Sequence, residues 1–506
     1  MVSLCASRCV LRSFASGCSV ASKRQLSTLK SSTQSRFSYY LSSNDKLHDI
    51  IGKLQGHAVL KNPQRHNAAV VLASPHYAAQ LDDPNFNAEL VNVLSASENQ
   101  KDFHLVCAIV DSIAPARGES LPLPGISVLR GELDSLLPQL WQPDPPLEKL
   151  ERDSVAALTF KVGLSAQTLP LTRTTFLNNK ASTLLVSRHD MSGGSPKLEQ
   201  RTEKQWQPVH VQIDQAAHST AAFDLWAPLS PVTRARKVTA SFGNIVRGIE
   251  VDGKSIPAST ELEVAVNSIF EHQSSTAETT PEAGPMGVWA LITPDQSQTS
   301  AWTADSAPDP SAIVKGNAVN RADVEACADY LQRQHHDAGS RFYQVLSGGG
   351  GWGAKKGLLS LDPRETFFAS SEEEEMDKFV RTMNNSSFAP PGAHIQFFVP
   401  ARAPAEMVTS SASGLVFGVP LTAEPAGQGH GASKEGYLVV DHFGALSAQG
   451  IYSSVKQVDD AGSAQESKLS VPGSRLYANN AVTKSGGILG ILGGGNVADA
   501  APIAMM

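Results

Sequence analysis

Short apolar runs that end at turn-forming residues constrain the fold of this chain more than any other feature. Asn67–Ser74 is rich in Val and Ala and ends before Pro75, and Leu105–Val110 and Gly125–Leu129 have the same character. Runs of this length and composition are typical of buried strands, and the residues between the first two, 77–97, have a helical pattern. This order predicts an α/β unit with neighbouring parallel strands.

Strand and helix signals alternate less regularly farther along the chain. A hairpin is predicted over residues 168–187 with its turn at Asn178–Lys180, and helices are predicted over residues 260–270 and 320–337. The predicted fold class is α/β to α+β, with mixed sheets and flanking helices in two to three domains after a cleavable leader. The predicted segments are a leader at 1–44, an α/β domain at 45–146, a β-rich α+β domain at 147–300, a glycine-loop α/β domain at 312–483 and a flexible tail at 484–506.

The first 44 residues contain no Asp or Glu, and six basic residues lie there among many Ser, Ala, Leu and Val residues. A basic, acid-free segment of this kind is typical of a mitochondrial transit peptide, because a cationic amphipathic helix is drawn across a membrane that is negative inside. Arg24–Ser27 and Arg36–Ser38 resemble sites at which such leaders are removed. We therefore expect a mitochondrial protein of the matrix, with a disordered basic tail as the alternative.

Composition excludes several classes of function. The 506-residue chain has a net charge of −7, so removal of the six basic residues of the leader would leave −13, which disfavours a nucleic-acid surface. No apolar run reaches the length of a membrane-spanning helix, so no transmembrane segment is predicted. Beyond the leader the only cysteines are Cys107 and Cys327, too few for a disulfide framework or a zinc site. No metal site is predicted, and Cys107 is predicted to be buried.

The strongest candidate for chemistry is the loop that reads SGGGGWGAKKG over residues 347–357, after a predicted strand. Glycines there would let backbone N–H groups approach a phosphate or another anion, and the lysines would add positive charge. The candidate ligand-binding residues are Gly348, Gly350, Trp352, Gly353, Lys355 and Lys356.

Two other interpretations of this loop remain open. Its glycines satisfy the G-x-G-x-x-G pattern of dinucleotide-binding folds, although the residues after Gly357 look like a strand and not a helix. The loop is alternatively a wide structural hairpin with Trp352 packed on the core. If the loop were a phosphate or oxyanion cradle, the candidate bases would be His430 and His442, which lie in loops or at strand ends.

Part of the chain resembles a known family. The strands at Ala69–Ser74 and Gly125–Leu129, with a helix and the Leu105–Val110 strand between them, resemble the FIST-type sensory domain over about a quarter of the chain. The resemblance implies small-ligand binding without turnover, and it transfers no functional residue.

These patterns favour a mitochondrial matrix protein that binds a small ligand or a protein partner through the Gly348–Gly357 loop. An enzyme that uses the loop as a cradle is the first alternative. The second alternative is an accessory factor in mitochondrial gene expression or complex assembly, for which the acidic charge favours protein over RNA partners. The sequence identifies no cofactor.

Overall fold

Strands dominate the computed structural model of this chain, and the helices lie against the sheets, so the fold is mixed α/β as predicted. Among the described residues, no helix combines the length and the apolar character needed to cross a membrane. The structure describes residues 34–42, 49–55, 57, 66–95, 100–116, 124–143, 155–213, 223–276, 287–295, 308–317, 320–337, 340–348, 357–362, 387–401, 414–421, 436–455 and 467–478.

The strands in chain order are β1 (Ser35–Tyr40), β2 (Ala68–Ala73), β3 (Asp102–Ile109), β4 (Ser112–Ile113), β5 (Gly125–Gly131), β6 (Ala157–Val162), β7 (Ser165–Pro170), β8 (Arg173–Thr174), β9 (Lys180–Ser182), β10 (Leu184–Asp190), β11 (Lys197–Glu203), β12 (Trp206–His210), β13 (Asp224–Trp226), β14 (Leu229–Pro231), β15 (Arg236–Phe242), β16 (Ile245–Val251), β17 (Lys254–Pro257), β18 (Trp289–Thr293), β19 (Arg341–Gly348), β20 (Leu359–Leu361), β21 (His394–Pro400), β22 (Gly414–Gly418), β23 (Tyr437–Val440), β24 (His442–Leu446), β25 (Ile451–Val455), β26 (Ser467–Leu469) and β27 (Arg475–Ala478). The helices are α1 (Asp49–Gln55), α2 (Ala78–Asp82), α3 (Pro84–Leu94), α4 (Leu133–Leu136), α5 (Thr175–Asn178), α6 (Ser259–Thr276), α7 (Ser311–Val314) and α8 (Arg321–Asp337).

The predicted buried strands lie at the centre of a seven-stranded sheet with the order β11-β10-β3-β2-β5-β1-β23. β2 and β3 are parallel as expected, but β5 is antiparallel to β2. The predicted helix over residues 77–97 is two helices, because Asp83 caps α3 through the backbone N–H of Asn85 and Pro84 starts it.

β1 lies inside the segment predicted to be a leader. It pairs with β5 on one side and β23 on the other, and Phe37 and Ser38 are fully buried. Residues 35–40 of the predicted 1–44 leader are therefore part of the folded sheet, and cleavage at Arg36–Ser38 would cut this strand in two. Arg24–Ser27, the other predicted cleavage site, lies outside the described residues.

The sheets cross the predicted domain boundaries. β10 from the 147–300 segment joins β3 of the 45–146 segment, and β23 from the 312–483 segment joins β1. Two five-stranded sheets, β12-β6-β7-β25-β26 and β13-β27-β22-β24-β4, also combine strands that are distant in sequence. The described parts of the predicted segments therefore share sheets.

Six strands of the eight-stranded sheet form a closed ring. β15-β16-β20-β19-β18 run in order, and β21 pairs with both β18 and β15, so that every strand has two neighbours within the ring; β14 and β17 pair with β21 and β16 outside it. Along β18, Ala290 and Ile292 face the core inside the ring, whereas Trp289 and Leu291 pack outward against the rest of the protein. This alternation is the two-residue period of a strand buried on both faces. We call this closed sheet the strand ring.

The helices cover the faces that the sheets leave open. α1, α2 and α3 pack on one face of the seven-stranded sheet, and the five-stranded sheets cover its other face. α6 packs on the strand-ring core through Leu262 and Ile269, whereas Phe270 on the same helix is 39 % exposed. α8 confirms its prediction with Val324 and Leu331 buried.

The hairpin predicted over residues 168–187 is wrong in its pairing. β7 pairs with β6 and β25, whereas β10 pairs with β3 and β11 in a different sheet. The residues between them form the small β8–α5–β9 excursion, in which Asn179 has the left-handed conformation expected of an Asn at a turn. The turn at Asn179 is predicted correctly, but long-range packing determines the partners of the flanking strands.

Candidate functional site

The glycine loop connects two antiparallel strands of the strand ring. β19 ends at Gly348, and the chain returns as β20 with Gly348 opposite Leu359. The strand after the loop therefore matches the hairpin interpretation, and a dinucleotide fold would instead need a helix there. Gly357 sits in the positive-φ region at +86°, packed against Pro257, so a side chain at this position would be strained.

Most of the residues predicted to bind a ligand lie outside the described part of the chain. These are Gly350, Trp352, Gly353, Lys355 and Lys356, and the same holds for His430. Of the predicted site, the structure describes Gly348, as the last residue of β19, and His442, in β24 of another sheet.

A row of side chains crosses the strand ring at the base of the loop. The strand register places Phe242 opposite Ile245, Ile245 opposite Ser360, and Ser360 opposite Ser347. Directly opposed residues of antiparallel strands share a face, and Leu359 beside them points into the ring core, so the row lies on the outer face. Phe242 is 56 % exposed. We call these four residues the loop-base platform.

Short-range hydrogen bonds fix the backbone of the platform. Gly243, with φ of +55°, makes the tight turn from β15 to β16. Next to it, the Asn244 amide donates to Ser360 Oγ at 3.2 Å and to the Leu361 carbonyl at 2.8 Å, which ties the turn to β20. The Phe388 N–H donates to the Gly243 carbonyl at 2.9 Å. An exposed aromatic ring and hydroxyl groups are therefore held on an ordered support.

Of the two predicted bases, the structure describes His442, which is the first residue of β24 and is fully buried against β1 and β5. Its Nδ1 lies 2.7 Å from Ser38 Oγ and 3.4 Å from the Tyr40 hydroxyl, and Ser38 Oγ is 2.8 Å from Ser127 Oγ. Ser127 Oγ accepts the Gly444 N–H at 3.0 Å. We call Ser38, Tyr40, Ser127 and His442 the histidine cluster. It joins the seven-stranded sheet to the neighbouring five-stranded sheet.

The electrostatics of this cluster do not suit a general base. Burial, together with the smaller effect of the positive charge of Arg36, lowers the pKa of His442 to about 3. A base of such low pKa has little driving force to accept a proton near neutral pH, and no face of His442 reaches solvent. The Ser–His contact resembles a nucleophile and its base in distance alone.

The structure has a shallow surface groove that was not predicted. It has a volume of about 300 Å³ and is formed by residues of α4 and the turn that follows, from Leu133 to Gln142. At its side Trp141 Nε1 donates to His104 Nδ1 at 3.1 Å. Every described residue that lines it comes from this single short segment.

The other candidate groups stay structural. Cys107 and Cys327 are buried, and burial raises the pKa of each thiol to about 12, which confirms the prediction for Cys107. Within the described ranges, no group of three or more His, Cys, Asp and Glu side chains has an arrangement that could hold a metal ion.

No protein-family model matches this chain, and comparisons with curated proteins and with solved structures likewise give no match. The FIST-type resemblance remains a prediction from sequence.

Sequence inspection had no means of finding the platform. Phe242 precedes a Gly-Asn turn, which signals a hairpin. The platform residues on β19 and β20, however, lie more than 90 residues farther along the chain. The exposure of an apolar ring at the base of a polar loop becomes visible only once the register is known.

Proposed function

We propose that this chain is a ligand-binding protein of the mitochondrial matrix whose site is the loop-base platform together with the Gly348–Gly357 loop. The observation that supports the proposal is the 56 % exposed ring of Phe242 in a row with Ile245, Ser360 and Ser347. Isolated exposed apolar residues are common, but the phenyl ring of Phe242 lies on the same ordered surface as the hydroxyl groups of Ser347 and Ser360.

The chemistry of the ligand follows from what the site offers. The apolar surface of Phe242 and Ile245 suits a hydrophobic or aromatic body, and the hydroxyl groups of Ser347 and Ser360 suit polar substituents. The glycines and lysines predicted to bind an anion add a preference for a negatively charged head group. We therefore propose a small amphiphilic anion as the ligand, bound without turnover.

Native mass spectrometry of the full chain purified from mitochondria tests the site. Burial of an aromatic side chain contributes about 1.5–3 kcal/mol, so Phe242→Ala is expected to weaken binding roughly tenfold or more and to remove a co-purifying ligand. Gly350→Val is expected to do the same by restricting the loop backbone. Phe270→Ala, which changes another partly exposed Phe on α6, is the matched control and should keep the ligand.

A ligand that is present in the wild type and in Phe270→Ala, but absent from both site variants, supports the proposal. A ligand retained by Phe242→Ala and Gly350→Val places binding elsewhere, and an empty wild-type protein removes the proposal altogether.

The proposed location has its own test. Import of the radiolabelled chain into isolated mitochondria should depend on the membrane potential and should yield a shortened, protease-protected product. Because β1 is paired along both edges, with β5 and β23, we expect the new N-terminus to lie before Gln34. A product that begins after Tyr40, or no shortening at all, contradicts the proposed leader.

A further inference from the structure

The β8–α5–β9 excursion, residues 173–182, exposes two large apolar side chains on an ordered support. Phe176 is fully exposed, at 102 % of its reference area, and Leu177 is 48 % exposed. Both belong to α5, the single turn of helix between the paired strands β8 and β9. We call this excursion the Phe176 finger; it shares no residue with the loop-base platform.

Buried hydroxyl groups hold the finger in place. Thr174 Oγ1 lies 2.8 Å from Thr183 Oγ1, and both threonines are fully buried. The Asn178 amide donates to Thr183 Oγ1 at 2.9 Å, so the helical turn is tied to the strands beneath it. Since the backbone is already ordered, a partner that receives Phe176 pays little conformational entropy for the finger.

The charged groups beneath the finger pair with one another. Lys180 Nζ contacts Asp82 at 2.7 Å and Glu203 at 2.6 Å, and Arg201 contacts the same Asp82 oxygen at 2.7 Å. Two cations and two anions therefore balance in this collar, and Arg173 at the start of the finger is one further, exposed cation. Anionic lipid surfaces and nucleic acids are recognised through clusters of several Lys and Arg residues, which one additional cation on a chain of net charge −7 does not provide.

The size of the apolar tip limits the kind of contact it can make. One aromatic residue buries about 150–250 Å², whereas a stable interface buries about 1,200 Å² or more in total. The tip alone is thus too small for a stable interface, and it suits a small knob-in-pocket contact in which one aromatic anchor supplies most of the binding energy.

We propose that the Phe176 finger is a docking site for a protein partner that offers an uncharged apolar pocket. Phe176 enters the pocket, Leu177 packs at its edge, and the charge-balanced collar meets a rim without strong charge.

Site-specific photo-crosslinking in living cells tests this proposal. The photoreactive probe p-benzoylphenylalanine replaces Phe176 in the full chain and, as a matched control, replaces Phe270 on α6. One protein should crosslink from position 176 and not from position 270. With that protein identified and purified, Phe176→Ala should weaken its binding at least tenfold, and Phe270→Ala should leave it unchanged.

Crosslinks to lipid, to a second copy of the chain, or equally from both positions would overturn the proposal. The absence of any product at position 176, or unchanged binding by Phe176→Ala, would also overturn it. Phe176→Ala should keep the small ligand proposed for the loop-base platform, so failure of one proposal is separable from failure of the other.

Discussion

The histidine cluster and the Phe176 finger both depart from the usual distribution of polarity: the cluster has polar groups in the interior, and the finger has an apolar ring at the surface. In the first, an imidazole and three hydroxyl groups lie in the interior with no exposure; in the second, a phenyl ring stands in water. The three hydroxyl groups and His442 Nδ1 have hydrogen-bonding neighbours within the cluster, which offsets part of the cost of burial, whereas His442 Nε2 has no hydrogen-bond partner among the described residues. The ring of Phe176 is fully exposed, so none of the described residues covers it.

The contrast shows how differently the two features relate to stability. Removal of a cluster group leaves its neighbours unsatisfied in a dry interior, so the cluster is sensitive to small changes. The fully exposed ring of Phe176 adds nothing to the folded core, so the apolar tip of the finger needs another explanation. Four measurements test this comparison.

The largest effect is expected from acid. Since the folded-state pKa of His442 is lowered to about 3, the fold favours the neutral imidazole, and this contribution is complete above the unfolded-state pKa near 6.5. It is lost as pH falls from about 6.5 to 3, at up to about 1.4 kcal/mol per pH unit. Urea unfolding at a series of pH values measures the slope.

His442→Asn is the matched variant for this slope, because it keeps a hydrogen-bonding side chain beside Ser38 and cannot be protonated. Burial also lowers the pKa of His189, to about 4, so the wild type loses stability in acid through more than one residue. The difference between the two proteins isolates His442. Identical slopes would show that its environment is not the dry interior described above.

The next largest effect is expected from Gly444→Ala. A side chain at Gly444 would overlap the Val416 carbonyl across the β22–β24 pair, which forces these strands apart next to the histidine cluster. We expect a loss of about 3 kcal/mol in the free energy of unfolding. Gly52→Ala is the control, because no atom lies within 4 Å of the added carbon and alanine favours the α1 helix. Equal effects of the two substitutions would contradict the close contact.

Tyr40→Phe should have an intermediate effect. The Tyr40 hydroxyl donates to the buried Ala114 carbonyl at 2.5 Å, whereas its ring stacks on Tyr437 with centroids 4.9 Å apart. The substitution removes the hydrogen bond and keeps the stacking, so we expect a loss of about 1–2 kcal/mol. A change in urea midpoint at constant m-value would measure it. No loss would indicate that the carbonyl finds another donor.

The smallest effect is expected at the finger. Phe176→Ala should change the free energy of unfolding by less than about 0.5 kcal/mol, because the ring is fully exposed. Phe417→Ala, at a fully buried ring stacked on Phe160, is the comparison and should cost about 3–5 kcal/mol. If thermal unfolding shows a large loss of stability for Phe176→Ala, the phenyl ring is covered within the folded chain and the finger is not a free surface.

The sequence was a good guide to which segments are buried and a poor guide to their neighbours. The buried strand at Ala68–Ala73 and the α8 helix are predicted correctly because local composition and residue period indicate them. β1 was missed because Arg36 and the serines around Phe37 gave that segment the composition of a leader. Strand pairing depends on packing between distant segments, which periodicity does not encode.

The candidate site was predicted in part for the same reason. Glycines and lysines identified the loop, and the strands on either side of it were expected. The contribution of Phe242 depends on the closure of the strand ring, and the burial of His442 depends on the meeting of two sheets. A histidine at a strand end has the same sequence context whether the strand lies at the surface or in the interior.

The position of β1 has a consequence for when this protein can finish folding. β1 needs β23 along one edge, and the paired residues Phe37 and Val440 stand about four hundred positions apart in the chain. During synthesis or passage through a membrane pore, the edge of β1 that pairs with β23 stays unpaired until nearly the whole polypeptide has emerged. Such distant pairing makes for slow completion of the sheet, so we expect the newly made chain to depend on chaperones that shield this edge.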